Sequence, residues 1–465
     1  MREKLLFLQE SEIQTEGGAF LRGMPPACRR IVLENDRPWE GMFIGFYSTY
    51  LIVDGVHKLY YALRDQDGRP SLAYAESTDG YHWIKPKLGV QEYHGSTANN
   101  LTNIPSLEGT VRYEERAKPE ERYQCYAHCE GFGVCLFTSG NGFQWKRAET
   151  PLLPYFCDSQ NQIFYDEMLG KYVFYLRGWD KDPQNSGRLM RTVKRGECER
   201  LDMPHSYDHT FPPFSRFPKE QPVVSHEFQT VFSGSADTDI YTMAAQPYPG
   251  APGYYLAFPT YYRHFPEPKD GGKNQNDGEI NVYFAGSTDG IHWNTYNQEP
   301  YLCNELTGAF KNRMSFVNPG MALENNGIRF YGTIYRTTHG AGEERKKQPD
   351  GKIVCYEQRK DGFVAVHFPA SGGKMRCPVP PAFSGRRISV NCDCGTTGKL
   401  QIGITKANGA EYSGYGLQDM KPIVVNSLDQ TINWTGGSKL PDEKGLWFEV
   451  EGCSADLFSL FLSKE

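Results

Sequence analysis

One hairpin pattern recurs five times along this 465-residue chain. In each copy a short strand-like run is followed by a turn and then by a strand rich in tyrosine and phenylalanine. The copies lie at residues 50–64, 110–126, 158–179, 240–258 and 314–336. Aromatic and β-branched residues favour strands, and repetition of one supersecondary unit is typical of a ring or an array. The pattern predicts five blades of a β-propeller.

A shorter repeat supports this interpretation. The sequence Ser-Thr-Asp-Gly-Tyr-His-Trp at 77–83 returns almost unchanged at 287–293, and a degenerate copy occupies 139–145. Asp-Gly and Asn-Gly favour tight turns with positive φ, and the tryptophan is placed to fold back over the blade. We interpret these residues as scaffold and not as catalytic groups.

Composition agrees with an all-β fold. Aromatic residues make up 14% of the chain, which also holds 48 glycines and 30 prolines, a composition typical of short strands joined by turns. From about residue 371 the hairpin rhythm gives way to alternating short strands. We therefore predict a five-bladed β-propeller with N-terminal lead-in strands at 1–369, followed by a β-sandwich at 370–465.

Charge and cysteine usage argue against several function classes. The net charge of −6 is spread without long runs of one sign, so we expect no nucleic-acid partner and no membrane partner. The apolar run near the N-terminus is too short for a signal sequence. The twelve cysteines are scattered, and Cys392 and Cys394 form the one close pair. We expect reduced thiols, a cytoplasmic location and neither metal nor other cofactor, and we leave the oligomeric state open.

Carboxylates precede two of the hairpins at matching positions. Asp158 stands 14 residues ahead of Tyr172, and Asp239 stands 15 ahead of Tyr254. Inner strands of a propeller begin or end at a central funnel, so groups at these positions converge although they are distant in sequence. The alternative interpretation is that each aspartate only caps a turn.

The other three hairpins give less uniform matches. In the first, the matching position falls near Phe46, and the nearest upstream carboxylate that we select is Glu40. The matching regions of the second and fifth hairpins hold Glu108, Asn103, Asn312 and Arg313. A funnel lined by several carboxylates raises the pKa of the most desolvated one, which creates a general acid and a general base from similar groups. We predict Glu40, Asp158 and Asp239 as the catalytic residues.

Arginines and a few other side chains are candidates for binding substrate. Arg64, Arg177, Arg263 and Arg336 end or follow the aromatic strands; they either grip an anionic group or face solvent. Trp39 is either a sugar-stacking platform or a core aromatic, and His339 lies on the loop after the fifth hairpin. The predicted substrate-binding residues are Trp39, Gln160, Asn161, Arg177, Arg263, Arg336 and His339.

These features together resemble the five-bladed β-propeller glycoside hydrolases, the group that spans arabinanases, xylosidases and invertase-like fructosidases. The sequence segments at 36–40, 158–161 and 359–363 are similar to those of a set of bacterial invertase-like proteins. The resemblance implies a funnel with three carboxylates: one from the first blade, one from a middle blade and a glutamate from a later one. The Trp-Met-Asn-Asp-Pro and Arg-Asp-Pro motifs of invertases are absent, and Asp239 or Glu227 would take the place of the later glutamate.

We therefore expect a glycoside hydrolase that cleaves a small oligosaccharide or glycoside by carboxylate acid/base chemistry. Two alternatives stay open. One is a glycoside phosphorylase, in which phosphate replaces water, and the other is a non-catalytic propeller that only binds carbohydrate. Phosphate dependence of turnover separates the first alternative from hydrolysis, and binding without turnover identifies the second.

Overall fold

The computed structural model describes residues 3–129, 133–153, 157–181, 189–201, 228–235, 238–266, 276–296, 299–324 and 326–463. Within these ranges β-strands dominate, and the α-helical part is the single turn-and-a-half Gly342–Lys347. Short 3₁₀ turns occur at Glu10–Glu12, Pro38–Glu40, Pro119–Glu121, Pro381–Phe383 and Leu417–Asp419. The predicted all-β class is confirmed. No described helix has the length and apolar character needed to cross a membrane.

The first three hairpins build three antiparallel sheets. The first sheet consists of Phe43–Val53, Val56–Arg64 and Pro70–Ser77. The second sheet consists of Thr110–Tyr113, Tyr123–Cys129, Gly133–Ser139 and Lys146–Arg147. The third sheet consists of Gln162–Asp166, Lys171–Lys181, Leu189–Cys198 and Gln229–Ser233. In each sheet, strands that follow one another in sequence also pair, which is the order expected of a propeller blade.

The fourth hairpin region is divided between two sets of strands. Gln246–Pro247, Tyr255–Ala257, Ala285–Ser287 and Asn294–Thr295 form one four-stranded sheet. Thr238–Ile240, Thr260–His264 and Gly278–Val282 form a second set, which joins the fifth sheet through the parallel pair Ile280 and Met314. We call these two sets together the fourth sheet.

The fifth sheet combines both ends of the predicted propeller. Its first three strands are Met314–Leu323, Gly327–Tyr335 and Lys352–Arg359, and its fourth is Cys28–Glu34 from the N-terminal part of the chain. A strand that precedes the first hairpin therefore completes the last sheet. Such pairing removes one exposed strand edge from the fifth sheet.

Hydrogen bonds link the innermost segments of neighbouring sheets in cyclic order. The Val111 amide donates to Thr49 Oγ1 at 3.2 Å, between the second and first sheets. The Ser159 hydroxyl donates to the Tyr241 carbonyl at 3.1 Å, between the third and fourth. The Tyr335 hydroxyl donates to the Ile44 carbonyl at 2.6 Å, between the fifth and first. These bonds connect the second sheet to the first, the third to the fourth and the fifth to the first, and the five-bladed arrangement stays a prediction.

The repeated Ser-Thr-Asp-Gly turn joins neighbouring sheets. Ser77 Oγ accepts the amides of Asp79 at 3.2 Å and Gly80 at 2.9 Å, and Gly80 adopts a positive φ of 77°. The Gly80 carbonyl then accepts the Tyr331 hydroxyl of the fifth sheet at 2.7 Å. The copy at 287–293 repeats the arrangement, with the Tyr175 hydroxyl of the third sheet on the Gly290 carbonyl at 2.7 Å. The scaffold role predicted for this motif agrees with these contacts.

The remaining strands form two further sheets. One consists of Lys4–Leu6, Phe20–Gly23, Val364–Phe368, Ala455–Leu462, Ile388–Asp393 and Asn426–Thr431. The other consists of Gln14–Glu16, Gly373–Pro378, Leu446–Cys453 and Lys399–Lys406. The first three strands of the chain therefore pair with strands from its C-terminal part. The division into 1–369 and 370–465 stays a prediction.

Candidate active site

Buried aromatic side chains cluster where the first, fourth and fifth sheets meet. We call this cluster the aromatic floor and its surroundings the mouth. Phe46 lies at the centre of this floor, with ring centroids 5.0 Å from Tyr47, 5.1 Å from Phe316 and 6.0 Å from Tyr241. All four side chains are buried. Phe46 is the residue that matched the mouth position of the first hairpin in sequence, so the first sheet contributes an apolar group where the third contributes Asp158.

Asp158 and Arg177 form an ion pair at the start of the third sheet. Asp158 precedes the inner strand, and Arg177 lies on the next strand, with its guanidinium 4.6 Å from the Trp179 ring. The Arg177 side chain is only 5% exposed, whereas that of Asp158 is 37% exposed. Burial and the nearby charge of Arg191 lower the pKa of Arg177 to about 9, so it remains a cation at neutral pH. The structure thus presents an accessible carboxylate held by a buried cation.

The two predicted binding residues beside Asp158 hold the shape of its loop. Asn161 accepts the Arg177 amide at 3.2 Å and donates to the carbonyls of Cys157 at 2.8 Å and Ser159 at 3.0 Å. Gln160 donates to the Ser48 carbonyl of the first sheet at 2.7 Å. Both side chains are buried. These contacts orient Asp158, and binding of substrate by Gln160 or Asn161 stays a prediction.

Asp239 lies on the first strand of the fourth sheet and is 4% exposed. His264 Nε2 lies 2.8 Å from Asp239 Oδ2, and the Arg191 amide donates to Asp239 Oδ1 at 3.1 Å. Burial acts to raise the pKa of Asp239, but the hydrogen bond and charge of His264 and the contacts of Arg191 outweigh it and lower the pKa. Asp239 is therefore ionised at neutral pH.

Glu108 is the carboxylate that sequence reasoning did not select. It precedes the inner strand of the second sheet, and the Ser106 hydroxyl donates to Glu108 Oε2 at 2.7 Å. Burial raises the pKa of Glu108. Glu108 lies near Tyr47, since burial, the neighbouring Tyr241 and the charge of Glu108 together raise the pKa of Tyr47. The sequence did contain a signal for Glu108, because it stands 15 residues ahead of Tyr123, just as Asp239 stands 15 residues ahead of Tyr254.

His339 lies beside this mouth. Its Nε2 is 3.1 Å from the Tyr241 hydroxyl, and its Nδ1 is 3.4 Å from the Tyr262 hydroxyl and 3.1 Å from the Asn276 carbonyl. Burial and the charge of Arg191 lower the pKa of His339 to about 4. At neutral pH the ring is uncharged, so it acts as a polar wall and not as a cation. A direct role in binding substrate stays a prediction.

Glu40 is held in a separate polar network of the first sheet. Its carboxylate accepts Lys85 Nζ at 2.7 and 2.8 Å, the Tyr61 hydroxyl at 2.8 Å and the amides of Asp36 and Arg37 at 2.9 and 3.1 Å. The Glu40 side chain has no exposed surface, and that of Lys85 is 5% exposed. Because these donors already occupy both carboxylate oxygens, the contacts of Glu40 are those of a structural residue. Its predicted catalytic role stays untested.

Trp39 belongs to the same network. Its Nε1 donates to Asn100 Oδ1 at 2.7 Å, and its ring meets Tyr93 edge-on at 6.1 Å. Asn100 in turn donates to the Tyr61 hydroxyl at 2.7 Å. The indole thus packs on the first sheet, and sugar stacking by Trp39 stays a prediction.

The remaining predicted arginines have no ion pair with Asp158 or Asp239 among the described residues, although Arg263 pairs in the sheet with Thr238, the neighbour of Asp239. Arg263 is exposed on the strand Thr260–His264. The Arg336 guanidinium pairs with Glu344, and its amide donates to Asp350 at 3.1 Å. Of the predicted arginines, Arg177 is the one whose contacts place it beside Asp158. Glu227 lies outside the described residues. In the described ranges no cluster of three or more His, Cys, Asp or Glu is arranged to hold a metal ion.

We compared the chain with known proteins. No family model matches the sequence. No curated protein matches it either.

Among solved structures, the chain is similar to a family-43 arabinoxylan arabinofuranohydrolase from Bacillus subtilis in complex with cellotetraose. The identity is 12% over 91% of this chain and 96% of that one, with a TM-score of 0.38. It is also similar to the catalytic domain of a GH62 α-L-arabinofuranosidase from Coprinopsis cinerea, at 11% identity over 73% and 97% of the two chains and a TM-score of 0.42. A family-117 glycoside hydrolase from Zobellia galactanivorans matches at 12% identity over 74% and 90%, with a TM-score of 0.40. At these TM-scores we base no argument on the likenesses.

Proposed function

We propose that this protein is a glycoside hydrolase whose active site is the mouth of the five-sheet ring. The observation that carries the proposal is the contrast between Glu108 and Asp239. Burial favours the neutral form of Glu108, whereas His264 and Arg191 keep Asp239 ionised. Acid/base cleavage of a glycosidic bond requires one protonated and one ionised carboxyl group.

Each carboxyl group then has a distinct role. Glu108, in its neutral form, donates a proton to the glycosidic oxygen as the bond breaks. Asp158 and Asp239 are the candidates for the second role, and one of them activates water or attacks the anomeric carbon. Attack by the carboxylate requires a separation of about 5 to 5.5 Å from the acid, whereas activation of water requires about 6.5 to 9.5 Å. We do not include Glu40 among these catalytic groups, because Tyr61 and Lys85 already donate hydrogen bonds to its carboxylate.

Two observations favour the alternative functions. The guanidiniums of Arg177 and Arg191 lie close enough that the charge of Arg191 lowers the pKa of Arg177, and such a pair suits phosphate in a phosphorylase. The first-hairpin position that matches Asp158 in sequence falls near Phe46, which is not acidic, and this suits a propeller that binds carbohydrate without cleaving it.

The proposal is tested with wild type and Asp158→Asn on a panel of aryl glycosides and natural oligosaccharides, with and without phosphate. Turnover by wild type without phosphate, lost in the variant, supports hydrolysis. Turnover that requires phosphate supports the phosphorylase. Binding of a sugar by both proteins with no turnover rejects both enzymatic functions.

For the C-terminal part, we propose that the six-stranded and four-stranded sheets pack as a β-sandwich. Support comes from buried apolar residues of both sheets that belong to one hydrophobic cluster, among them Val390 and Leu457 from the first and Ile402 and Phe448 from the second. A cytoplasmic location stays a prediction.

A further inference from the structure

The Arg191 guanidinium has no carboxylate within ion-pair distance among the described residues, although its charge favours the ionised form of Asp239. It lies on the third sheet, with its guanidinium carbon 4.8 Å from the Tyr241 ring centroid and 5.4 Å from that of Trp179. Among the described residues, its side chain has these two aromatic contacts and no ion pair. The hydrogen bond to Asp239 comes from the main-chain amide, so it uses none of the five N–H groups of the side chain.

The surroundings show how this side chain is held. Tyr241 is buried in the aromatic floor and lies 3.1 Å from His339, so its position is fixed. Trp179 also carries the Arg177 guanidinium at 4.6 Å. Two guanidiniums therefore share one indole, and within the described ranges Arg177 is the one of the two with a carboxylate in contact. Stacking on aromatic faces restrains a guanidinium while its N–H edge remains free to bind.

The two neighbouring cations, Arg177 and Arg191, indicate which class of ligand this place would favour. A neutral sugar offers hydroxyl groups, which neutral donors and acceptors satisfy, so its binding would leave the repulsion between Arg191 and Arg177 in place. An oxyanion on the ligand would bind Arg191 through two parallel N–H···O bonds and relieve that repulsion. Among the described residues, Trp179 Nε1 is a further buried donor without an acceptor.

We propose that Arg191 is a specificity-determining residue that binds an oxyanion, so that the preferred substrate carries a carboxylate or phosphate group next to the bond that is cleaved. A uronic acid and a sugar phosphate share this chemistry. The inference rests on the proposed function, since it places the anion in the same mouth as Glu108, Asp158 and Asp239.

The test compares ligands that differ only in charge. Binding of glucuronate against glucose, galacturonate against galactose, and inorganic phosphate is measured by calorimetry with wild type, Arg191→Gln and Arg376→Gln. Glutamine keeps the main-chain amide on Asp239. Arg376 is a matched control, because its guanidinium stacks on Trp447 at 5.2 Å in the C-terminal sheets.

We expect wild type and Arg376→Gln to prefer one of the anions over its neutral counterpart, and Arg191→Gln to lose that preference by about 10- to 100-fold, the usual effect of one charged hydrogen-bonded contact. Preference for a uronate identifies a carboxylate, and preference for phosphate identifies a phosphoryl group. Equal binding of charged and neutral ligands by wild type, or a preference that survives in Arg191→Gln, would overturn the inference.

Turnover separates the inference from the proposed function. The same variants are assayed on matched pairs of aryl uronides and neutral aryl glycosides. Collapse of the kcat/KM ratio between acidic and neutral substrates in Arg191→Gln supports the inference. An equal loss on both substrates overturns it and leaves hydrolysis standing. Selective, Arg191-dependent binding of an anion with no turnover of any glycoside supports the anion site and rejects hydrolysis.

Discussion

Arg177 and Asp158 pair across the entrance of the third sheet, with the cation buried and the carboxylate accessible. This asymmetry orients the carboxylate toward the mouth, since the guanidinium fixes one side of it and the rest faces solvent. The partial exposure of Asp158, at 37%, leaves room for a ligand that a fully buried ion pair would exclude.

The first prediction concerns this aspartate. Asp158→Asn removes the charge but keeps nearly the same shape, so we expect kcat/KM to fall by about 1,000-fold or more while the fold is retained. The measurement is steady-state turnover together with far-ultraviolet circular dichroism. Asp67→Asn, which alters an exposed pair with Arg69, is the control and should match wild type. An active, folded Asp158→Asn would remove Asp158 from the catalytic set.

The second prediction concerns Glu108 as the general acid. Because burial raises its pKa, activity of wild type should fall as the pH rises through that pKa and the proton is lost. Glu108→Gln should lack this limb of the pH profile. Its rate loss should be about 100-fold or more for natural glycosides, yet small for dinitrophenyl glycosides, whose leaving group needs no proton. Equal losses on both substrates would argue against this role.

The third prediction uses the ionised state of Asp239. Its folded-state pKa is lowered, so it contributes stability above its unfolded pKa, and this contribution is lost as the pH falls through the folded-state value. Asp239→Asn should lower the free energy of unfolding by about 2 kcal/mol at neutral pH, the scale of a charged hydrogen bond. The difference from wild type should shrink on acidification. Urea titrations at neutral and acidic pH measure it, and a pH-independent difference would contradict the prediction.

The fourth prediction separates structure from catalysis at Glu40. Glu40→Gln leaves the buried Lys85 with the exposed Asp36 as its remaining carboxylate partner, so we expect a loss of about 3 kcal/mol in the free energy of unfolding. The double variant Glu40→Gln with Lys85→Met should recover part of that loss, because the buried cation is removed together with the buried anion. Chemical denaturation gives the stability and steady-state assays give the activity. A stable but inactive Glu40→Gln would return Glu40 to the catalytic set.

The fifth prediction tests closure of the ring by the N-terminal strand. Leu33, on Cys28–Glu34, is buried with Ile44 of the first sheet and Ile353 of the fifth. Leu33→Ala should cost about 2 to 4 kcal/mol of stability, because a cavity opens where two sheets meet. Ile52→Ala, at a position 46% exposed, is the control and should stay within about 1 kcal/mol of wild type. Similar costs for the two variants would contradict this account of closure.

Sequence alone determined what depends on contacts between near neighbours in the chain. The hairpins were recognisable because aromatic strands flank turn residues. The Ser-Thr-Asp-Gly turn was recognisable because Ser77, Asp79 and Gly80 satisfy one another within a few residues. The positions of Asp158 and Asp239 at the starts of strands followed from the same local count.

Tertiary structure decided which neighbours surround each of these groups. Glu40 and Glu108 are both glutamates ahead of an inner strand, yet Glu40 pairs with Lys85 and Tyr61, whereas Glu108 faces Tyr47. Likewise Arg191 and Arg177 meet over Trp179, and Cys28–Glu34 crosses the chain to complete the fifth sheet. A side chain's direction and its charged neighbours depend on strands that are hundreds of residues apart in sequence. Burial raises the pKa of Glu108, and His264 and Arg191 lower that of Asp239, only once these distant strands have come together.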